Sequence, residues 1–248
     1  MSESTDKTFW EHLDDLRALL FRIVIVLAVA VIVCFCFKDE LFDFVLAPSR
    51  PDFILYRLLS GLGTPQLPDH LINTSLAGQL MTHFKVAMTV GAALCVPIII
   101  WLVARYLAPA LYPKERHAMR VAFTWGTLLF FLGVATAYVL VFPLAYQFLA
   151  SYEVSSEVEN MFTLGSYIDN LSLLCLLMGV FFELPIVAVL LGKLGLVTSN
   201  LMKTYRRHAI LAIVTLAAII TPTTDIFTLT LVSLPICVLY EVSAHLVK

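Results

Sequence analysis

The sequence predicts an all-α integral membrane protein with six transmembrane helices in a bent, concave bundle, short spans 5 and 6, and both termini in the cytoplasm. Hydrophobic residues make up 60% of its 248 residues, and charged residues make up only 14%. An ordinary soluble domain has about 25% charged residues. We therefore expect one membrane domain over residues 1–248, with no sizeable soluble part and no nucleic-acid partner.

The N-terminal segment is predicted to be a helix that carries an acidic stripe. Residues 8–11 have the pattern of a capping box, so the helix should begin near residue 8. At about 100° per residue, Glu11, Asp14 and Asp15 fall on one face, opposite a leucine face. Residues 1–18 are thus expected to form a cytoplasmic interfacial helix. A charge stripe is usually a solvated face, but three carboxylates beside a membrane span also suggest a cationic ligand.

The six spans follow the apolar runs of the chain. Their expected bounds are 19–37, 80–106, 121–141, 166–191, 209–220 and 227–240. Span 3 is expected to end at Pro143, and residues 144–165 are expected to form a loop. Residues 38–78 are expected to form a periplasmic excursion with short amphipathic helices, and 107–120 and 192–208 are expected to be cytoplasmic loops. Four prolines are expected to be structural: Pro48, Pro97, Pro109 and Pro235.

Spans 5 and 6 are predicted to be unusually short. Fourteen helical residues reach only about 21 Å, whereas the hydrocarbon core of a bilayer is about 30 Å thick. Such spans must thin the bilayer locally or lie beside longer helices. We therefore expect the C-terminal half to form a thinned, bent wall.

The distribution of Lys and Arg predicts the orientation of the bundle. Twelve of the sixteen lie near the N-terminus, at the end of span 2, in the connections after spans 2 and 4, or at Lys248. Cytoplasmic connections carry an excess of these residues. Because the number of spans is even, both termini are expected on the cytoplasmic side.

Span 4 carries a carboxyl group where lipid alone would disfavour one. Glu183 lies within the apolar run 166–191, and an ionisable group in that position costs several kcal/mol unless it faces protein or water. Pro185 should bend the helix there, and Gly179, one turn earlier, should let another helix approach. Glu183 could be a structural hydrogen-bonding group, a proton or ion site, or a contact for a polar group on a partner helix.

Most catalytic and metal-binding patterns are missing from the chain. There is no Gly-rich phosphate loop, no zinc-protease motif and no nucleophile elbow, and neither the five cysteines nor the six histidines have ligand spacing. We expect no cofactor and no metal, and an intramembrane enzyme is the least favoured interpretation. Binding fits best, and a proton- or ion-coupled secondary transporter that uses Glu183 is the alternative.

Five motifs in order resemble the TatC family, the polytopic receptor subunit of the twin-arginine protein translocase. They are the run at residues 12–17, Ala108-Pro109-Ala110-Leu111-Tyr112 followed by Glu115-Arg116, Phe182-Glu183-Leu184-Pro185, Thr221-Pro222 with Asp225, and Leu239-Tyr240-Glu241. The resemblance covers nearly the whole chain, and the six predicted spans fit it. Asp15 stands where the family usually has Glu, and Leu229 stands where a polar Gln is frequent.

The resemblance implies a protein-export function in the bacterial cytoplasmic (inner) membrane. It implies binding of twin-arginine signal peptides at the cytoplasmic face and export of folded proteins driven by the proton-motive force. The implied partners are the lipid membrane, single-span TatA or TatB subunits, and further copies of the chain.

The resemblance also implies roles for particular residues. Asp15 and Glu115 would read the two arginines, because a carboxylate binds a planar guanidinium through two hydrogen bonds. Glu11 or Asp14 could share that role, and Arg17 and Tyr106 fall at positions that resemble functional ones. The implied contacts with partner subunits are Glu183, Pro185, Thr221, Asp225 and Glu241.

Overall fold

The computed structural model describes residues 9–58, 67–68, 70–107, 113–152, 155, 160–193, 195–221 and 225–247. These parts of the chain are almost entirely helical, with one isolated bridge between Ile72 and Thr163. The helices are α1 Phe9–Cys36, α2 Lys38–Leu46, α3 Ile54–Leu58, α4 Gly78–Leu107, α5 Pro113–Thr136, α6 Phe142–Ser151, α7 Leu164–Phe181, α8 Leu184–Lys193, α9 Ser199–Thr204, α10 Arg206–Ile220 and α11 Ile226–Leu246.

Within the described residues, five helical stretches are long and apolar enough to cross a membrane. They are Leu13–Cys36, Gly78–Tyr106, Val121–Ser151, Leu164–Lys193 and Ile226–Leu246. The predicted short span 5 corresponds to α10, whose 15 residues reach only about 22 Å. Together these six segments match the six predicted spans.

Helix α1 runs without interruption from Phe9 to Cys36. The expected interfacial helix at residues 1–18 is therefore not a separate element, and its described part is the first turns of span 1. No Gly or Pro lies between the acidic stripe and the apolar run to end the helix. The acidic residues thus stand on a direct extension of the membrane helix.

The first excursion contains short helices, as predicted. Helix α2 buries Leu41 and Val45 and continues into a 3₁₀ turn, Ala47–Ser49, and α3 follows. The hydroxyl of Tyr56 donates to the carbonyls of Pro48 and Pro143, at 3.1 Å and 3.2 Å. Burial raises the pKa of Tyr56, so this hydroxyl stays protonated and keeps donating.

Span 3 does not end at Pro143 as predicted, and the expected loop at residues 144–165 begins with helix. A π-helical segment, Ala137–Val141, joins α5 to α6, and the N–H of Phe142 donates to the carbonyl of Ala137. This wider turn rearranges the backbone hydrogen bonds just before the proline, which itself has no N–H to offer. The helix therefore continues to Ser151.

The predicted cytoplasmic loops are shorter than expected. Helix α5 begins at Pro113, a favoured residue for a first helical position. Residues 192–208 contain the end of α8, all of α9 and the start of α10. Pro109 lies outside the described residues.

Helix α11 is longer than the predicted span 6. It has 21 residues, which reach about 31 Å, because polar residues near Glu241 continue the helix beyond its apolar run. Pro97 and Pro235 lie inside α4 and α11 without ending them.

The core lies where α7 packs against α4 and the α5–α6 region, and α11 adds buried residues to it beside α6. Val86, Val141, Ile168, Met178 and Ile236 are among its most deeply buried side chains. Many large apolar side chains on the outer helix faces are exposed, as expected of surfaces that contact lipid. The core thus fixes α7, and with it Glu183, between the other spans.

Candidate functional site

Helices α1 and α4 pack against each other in antiparallel register. A Cβ on Gly91 would lie 3.1 Å from the backbone nitrogen of Val31, and the Cys95 thiol lies 3.6 Å from the carbonyl oxygen of Val26. Continued along both helices, this register brings Tyr106 level with Asp15.

The acidic stripe lies at this end of the α1–α4 pair. Asp15 is half-buried, whereas Asp14 is exposed. The guanidinium of Arg17 lies over the ring of Phe21, 5.6 Å from its centroid. The side chain of Glu11 lies outside the described residues.

The backbone of Glu115 lies at the same end of the bundle as the acidic stripe. It lies in the first turn of α5, and only residues 108–112 separate that helix from the end of α4. A carboxylate in a first turn is stabilised by the positive end of the helix dipole. The side chain itself is outside the described residues, so the structure gives no distance between Glu115 and Asp15.

Glu183 lies at an interruption between α7 and α8. The regular helix stops at Phe181 and resumes at Leu184, as the position of Pro185 predicts. The N–H of Glu183 donates to the carbonyl of Val180 at 3.1 Å, and its own carbonyl accepts from Ile186 and Val187, each at 3.0 Å.

The carboxylate of Glu183 fits into the space left by a glycine of α5. A Cβ on Gly126 would lie 2.8 Å from Oε2 and 3.3 Å from Oε1 of Glu183. The Oε1 atom is buried and has no hydrogen-bond partner among the described residues. Such a group retains the capacity to accept a hydrogen bond.

Two further glycines bring α5 and α7 into contact. A Cβ on Gly133 would overlap the carbonyl oxygen of Met178, and one on Gly179 would lie 2.6 Å from the Phe130 ring. Gly179 therefore permits the close approach expected from the sequence. Gly126 and Gly133 are not among the predicted site residues, although their seven-residue spacing marks one face of α5.

Thr221 and Asp225 lie at the connection between α10 and α11. The buried hydroxyl of Thr221 donates to the carbonyl of Ala217 at 2.9 Å. The Asp225 carboxylate accepts the N–H of Thr228 at 2.7 Å and so caps the N-terminus of α11. This capping role accounts for an acidic residue at this position. Residues 222–224 between them lie outside the described residues.

Glu241 pairs with Arg206, a partner not identified from the sequence. The ion pair joins the end of α11 to the start of α10. Nearby, the hydroxyl of Tyr240 donates to the carbonyl of Met202 at 2.8 Å. These contacts hold α9, α10 and α11 together at the end of the bundle that also carries Asp15.

The predicted site residues therefore divide among three places. Asp15, Tyr106, Glu115 and Glu241 lie at one end of the bundle, Glu183 lies within a span, and Thr221 with Asp225 lie at the opposite end. The described residues contain no group of three or more His, Cys, Asp or Glu side chains that could hold a metal ion.

Comparisons with known proteins agree on one family. The sequence profile of the TatC family, described as Sec-independent protein translocase protein, matches residues 11–235. The Sec-independent protein translocase protein TatC of Deinococcus radiodurans is 34% identical over 244 residues, which cover 98% of this chain and 87% of that protein.

Two solved structures have the same fold. A crystal structure of the twin-arginine translocase receptor TatC has a TM-score of 0.77 and 30% identity, over 95% of this chain and 97% of that one. A second structure of that receptor, in DDM, has a TM-score of 0.79 and 30% identity, over 96% and 100% of the two chains. The predicted six-span, cupped fold is confirmed by this similarity.

Proposed function

Since this chain belongs to the TatC family of Sec-independent protein translocase proteins, we propose that it uses Asp15 and Glu115 to bind the paired arginines of signal peptides at the cytoplasmic face. The chain is a multi-pass membrane protein and a receptor subunit of the twin-arginine translocase.

The observation that carries the proposal is the convergence of acidic positions at one end of the bundle. The α1–α4 register brings Tyr106 level with Asp15, and α5 starts a short connection later with Glu115 in its first turn. A twin-arginine motif presents two permanently charged, planar groups, each able to donate two hydrogen bonds to one carboxylate. Asp14 and Arg17, on the same turns of α1, complete the polar surface.

We place this acidic end in the cytoplasm of a bacterial cell, with both termini on that side of the inner membrane. Lys203, Arg206 and Arg207 are exposed at the same end, which supports a cytoplasmic position. Cargo made in the cytoplasm would then meet the carboxylates directly.

We assign Glu183 to contact with single-span TatA or TatB partners, in an assembly that contains further copies of this chain. The support is a buried carboxylate oxygen without a hydrogen-bond partner among the described residues, at a break where Pro185 leaves the backbone irregular. Thr221, Asp225 and Glu241 would shape the neighbouring α10–α11 wall. Export of folded proteins would be driven by the proton-motive force.

Binding of a twin-arginine signal peptide to the purified chain in detergent tests the proposal. We expect Asp15→Asn and Glu115→Gln each to weaken binding by about tenfold or more, because a charge-assisted hydrogen bond is worth about 1.5–3 kcal/mol. A twin-lysine peptide should bind the wild type more weakly, since an ammonium group cannot make the two-pronged contact.

A matched control removes two carboxylates at the other end of α1. Asp39 and Glu40 are exposed in the first turn of α2, and Asp39→Asn with Glu40→Gln should leave peptide binding unchanged. Equal binding by the wild type and the Asp15→Asn, Glu115→Gln double variant would reject the assignment.

A further inference from the structure

A polar cavity lies at the bundle end opposite the acidic stripe, between the α1–α2 junction and the starts of α4 and α7. Its volume is about 490 Å³. Lys38, Gln79 and His83 supply its polar groups, and Phe42 and Leu80 are among its apolar walls. No residue proposed for signal-peptide binding or partner contact lines it.

His83 supplies the buried polar side chain of this cavity. Only 8% of its surface is exposed, and its Nε2 has no hydrogen-bond partner among the described residues. The ring stacks on Phe35, with centroids 3.9 Å apart and planes inclined by 13°, and it meets the edge of Phe42 at 5.7 Å. Two aromatic contacts thus fix a ring whose buried nitrogen can still form a hydrogen bond.

The other polar groups around His83 favour the binding of a ligand with a negatively charged oxygen. Gln79 lies in the first turn of the 30-residue helix α4, where N–H groups lack partners within the helix and the dipole is positive. Lys38, the exposed first residue of α2, adds a full positive charge from across the cavity. The exposed acids Asp39 and Glu40 follow Lys38 but do not line the cavity.

The depth of the cavity in the membrane indicates which kind of molecule supplies that oxygen. Helix α1 ends at Cys36 and α4 begins at Gly78, so the polar groups lie where two spans leave the hydrocarbon, at the height of lipid headgroups. Leu76 and Leu80 beside them are exposed and offer apolar surface to acyl chains. Basic pockets between transmembrane helices are suited to lipid headgroups.

We propose that this cavity binds the phosphodiester group of a membrane phospholipid, with Lys38, Gln79 and His83 as its donors. The lipid would occupy the groove between α1 and α4 from the membrane side. This site would tie the first excursion to the membrane surface at the end of the bundle that faces away from the signal-peptide site.

Native mass spectrometry of the full chain with phosphatidylglycerol in detergent tests this proposal. We expect Lys38→Gln with His83→Phe to reduce affinity for the lipid by at least about tenfold, which corresponds to about 1.4 kcal/mol. The Phe replacement keeps the stacking on Phe35 and removes the ring nitrogens. Lys38→Gln alone changes an exposed side chain, so this variant should fold normally. Its affinity for phosphatidylglycerol should still be lower than that of the wild type.

Arg57→Gln is the matched control, because it removes one exposed positive charge on α3 without altering the cavity. It should bind phosphatidylglycerol like the wild type. Undiminished lipid binding by both Lys38 variants would overturn the proposal. Equal retention of an uncharged diacylglycerol, or displacement of the lipid by an equal concentration of inorganic phosphate, would also overturn it.

Discussion

At the residue scale, the position of Glu183 depends on two local features. Pro185 interrupts the helix and leaves the backbone around Glu183 with irregular hydrogen bonds. Gly126 leaves the space that the carboxylate occupies on the neighbouring helix. Because Gly126 has no side chain, the Glu183 carboxylate has room between the spans. A substitution at one of these positions should therefore change the energetic effect of a substitution at the other.

We predict that Gly126→Leu destabilises the protein by about 1–3 kcal/mol, the usual cost of overpacking. The new side chain must displace the Glu183 carboxylate, whose nearer oxygen lies 2.8 Å from the Cβ position. Thermal unfolding in detergent measures the effect. Gly165→Leu is the control, because nothing lies within 4 Å of its Cβ position.

The coupling itself is measured by repeating Gly126→Leu in a Glu183→Ala background. There the substitution should cost clearly less, since the colliding group has been removed. An unchanged cost in the two backgrounds would show that Gly126 does not accommodate Glu183.

At the element scale, tyrosines anchor the first excursion to the spans. The hydroxyls of Tyr138 and Tyr167 donate to the carbonyls of Phe44 and Val45, the latter at 3.1 Å, and Tyr56 donates to Pro48. All three carbonyls lie in the last turn of α2 or the 3₁₀ turn that follows, where helix carbonyls lack partners within the helix. Tyrosines from α3, α7 and the π-helical segment therefore supply donors to the end of α2 and to the 3₁₀ turn that follows it.

We predict that Tyr167→Phe leaves the buried Val45 carbonyl without its donor and lowers stability by about 1–3 kcal/mol. Amide hydrogen exchange should accelerate in α2 more than in α4, because the lost bond anchors α2 locally. Tyr152→Phe changes an exposed tyrosine near the same end and should leave exchange unaltered. Equal exchange rates in α2 for the wild type and Tyr167→Phe would contradict the anchoring role.

Several element boundaries illustrate what sequence alone can determine. The apolar runs and Pro185 were enough to predict the spans and the break near Glu183. Pro143 was expected to end span 3, but the π-helical segment Ala137–Val141 carries the helix past it, and such a segment has no marker in a linear pattern. The contacts between Gly126 and Glu183, and between Arg206 and Glu241, depend on which helices become neighbours and could not be found without the fold.

At the scale of the whole molecule, the six spans separate two chemically different ends. One end carries Asp15, Glu115 and the Arg206–Glu241 pair, and we assign it to the cytoplasm and to cargo recognition. The opposite end carries the tyrosine-anchored excursion, the ion pair between Lys85 and Asp169 at 2.7 Å, and the cavity around His83. Cargo recognition requires the first of these ends to face newly made proteins.

Protease accessibility of an N-terminal affinity tag tests that requirement most directly. We predict digestion in inverted membrane vesicles and protection in intact spheroplasts, with the opposite result for a protease site inserted at the exposed turn of Pro51 and Asp52. Digestion of the N-terminal tag in intact spheroplasts would place Asp15 outside the cell and contradict the account.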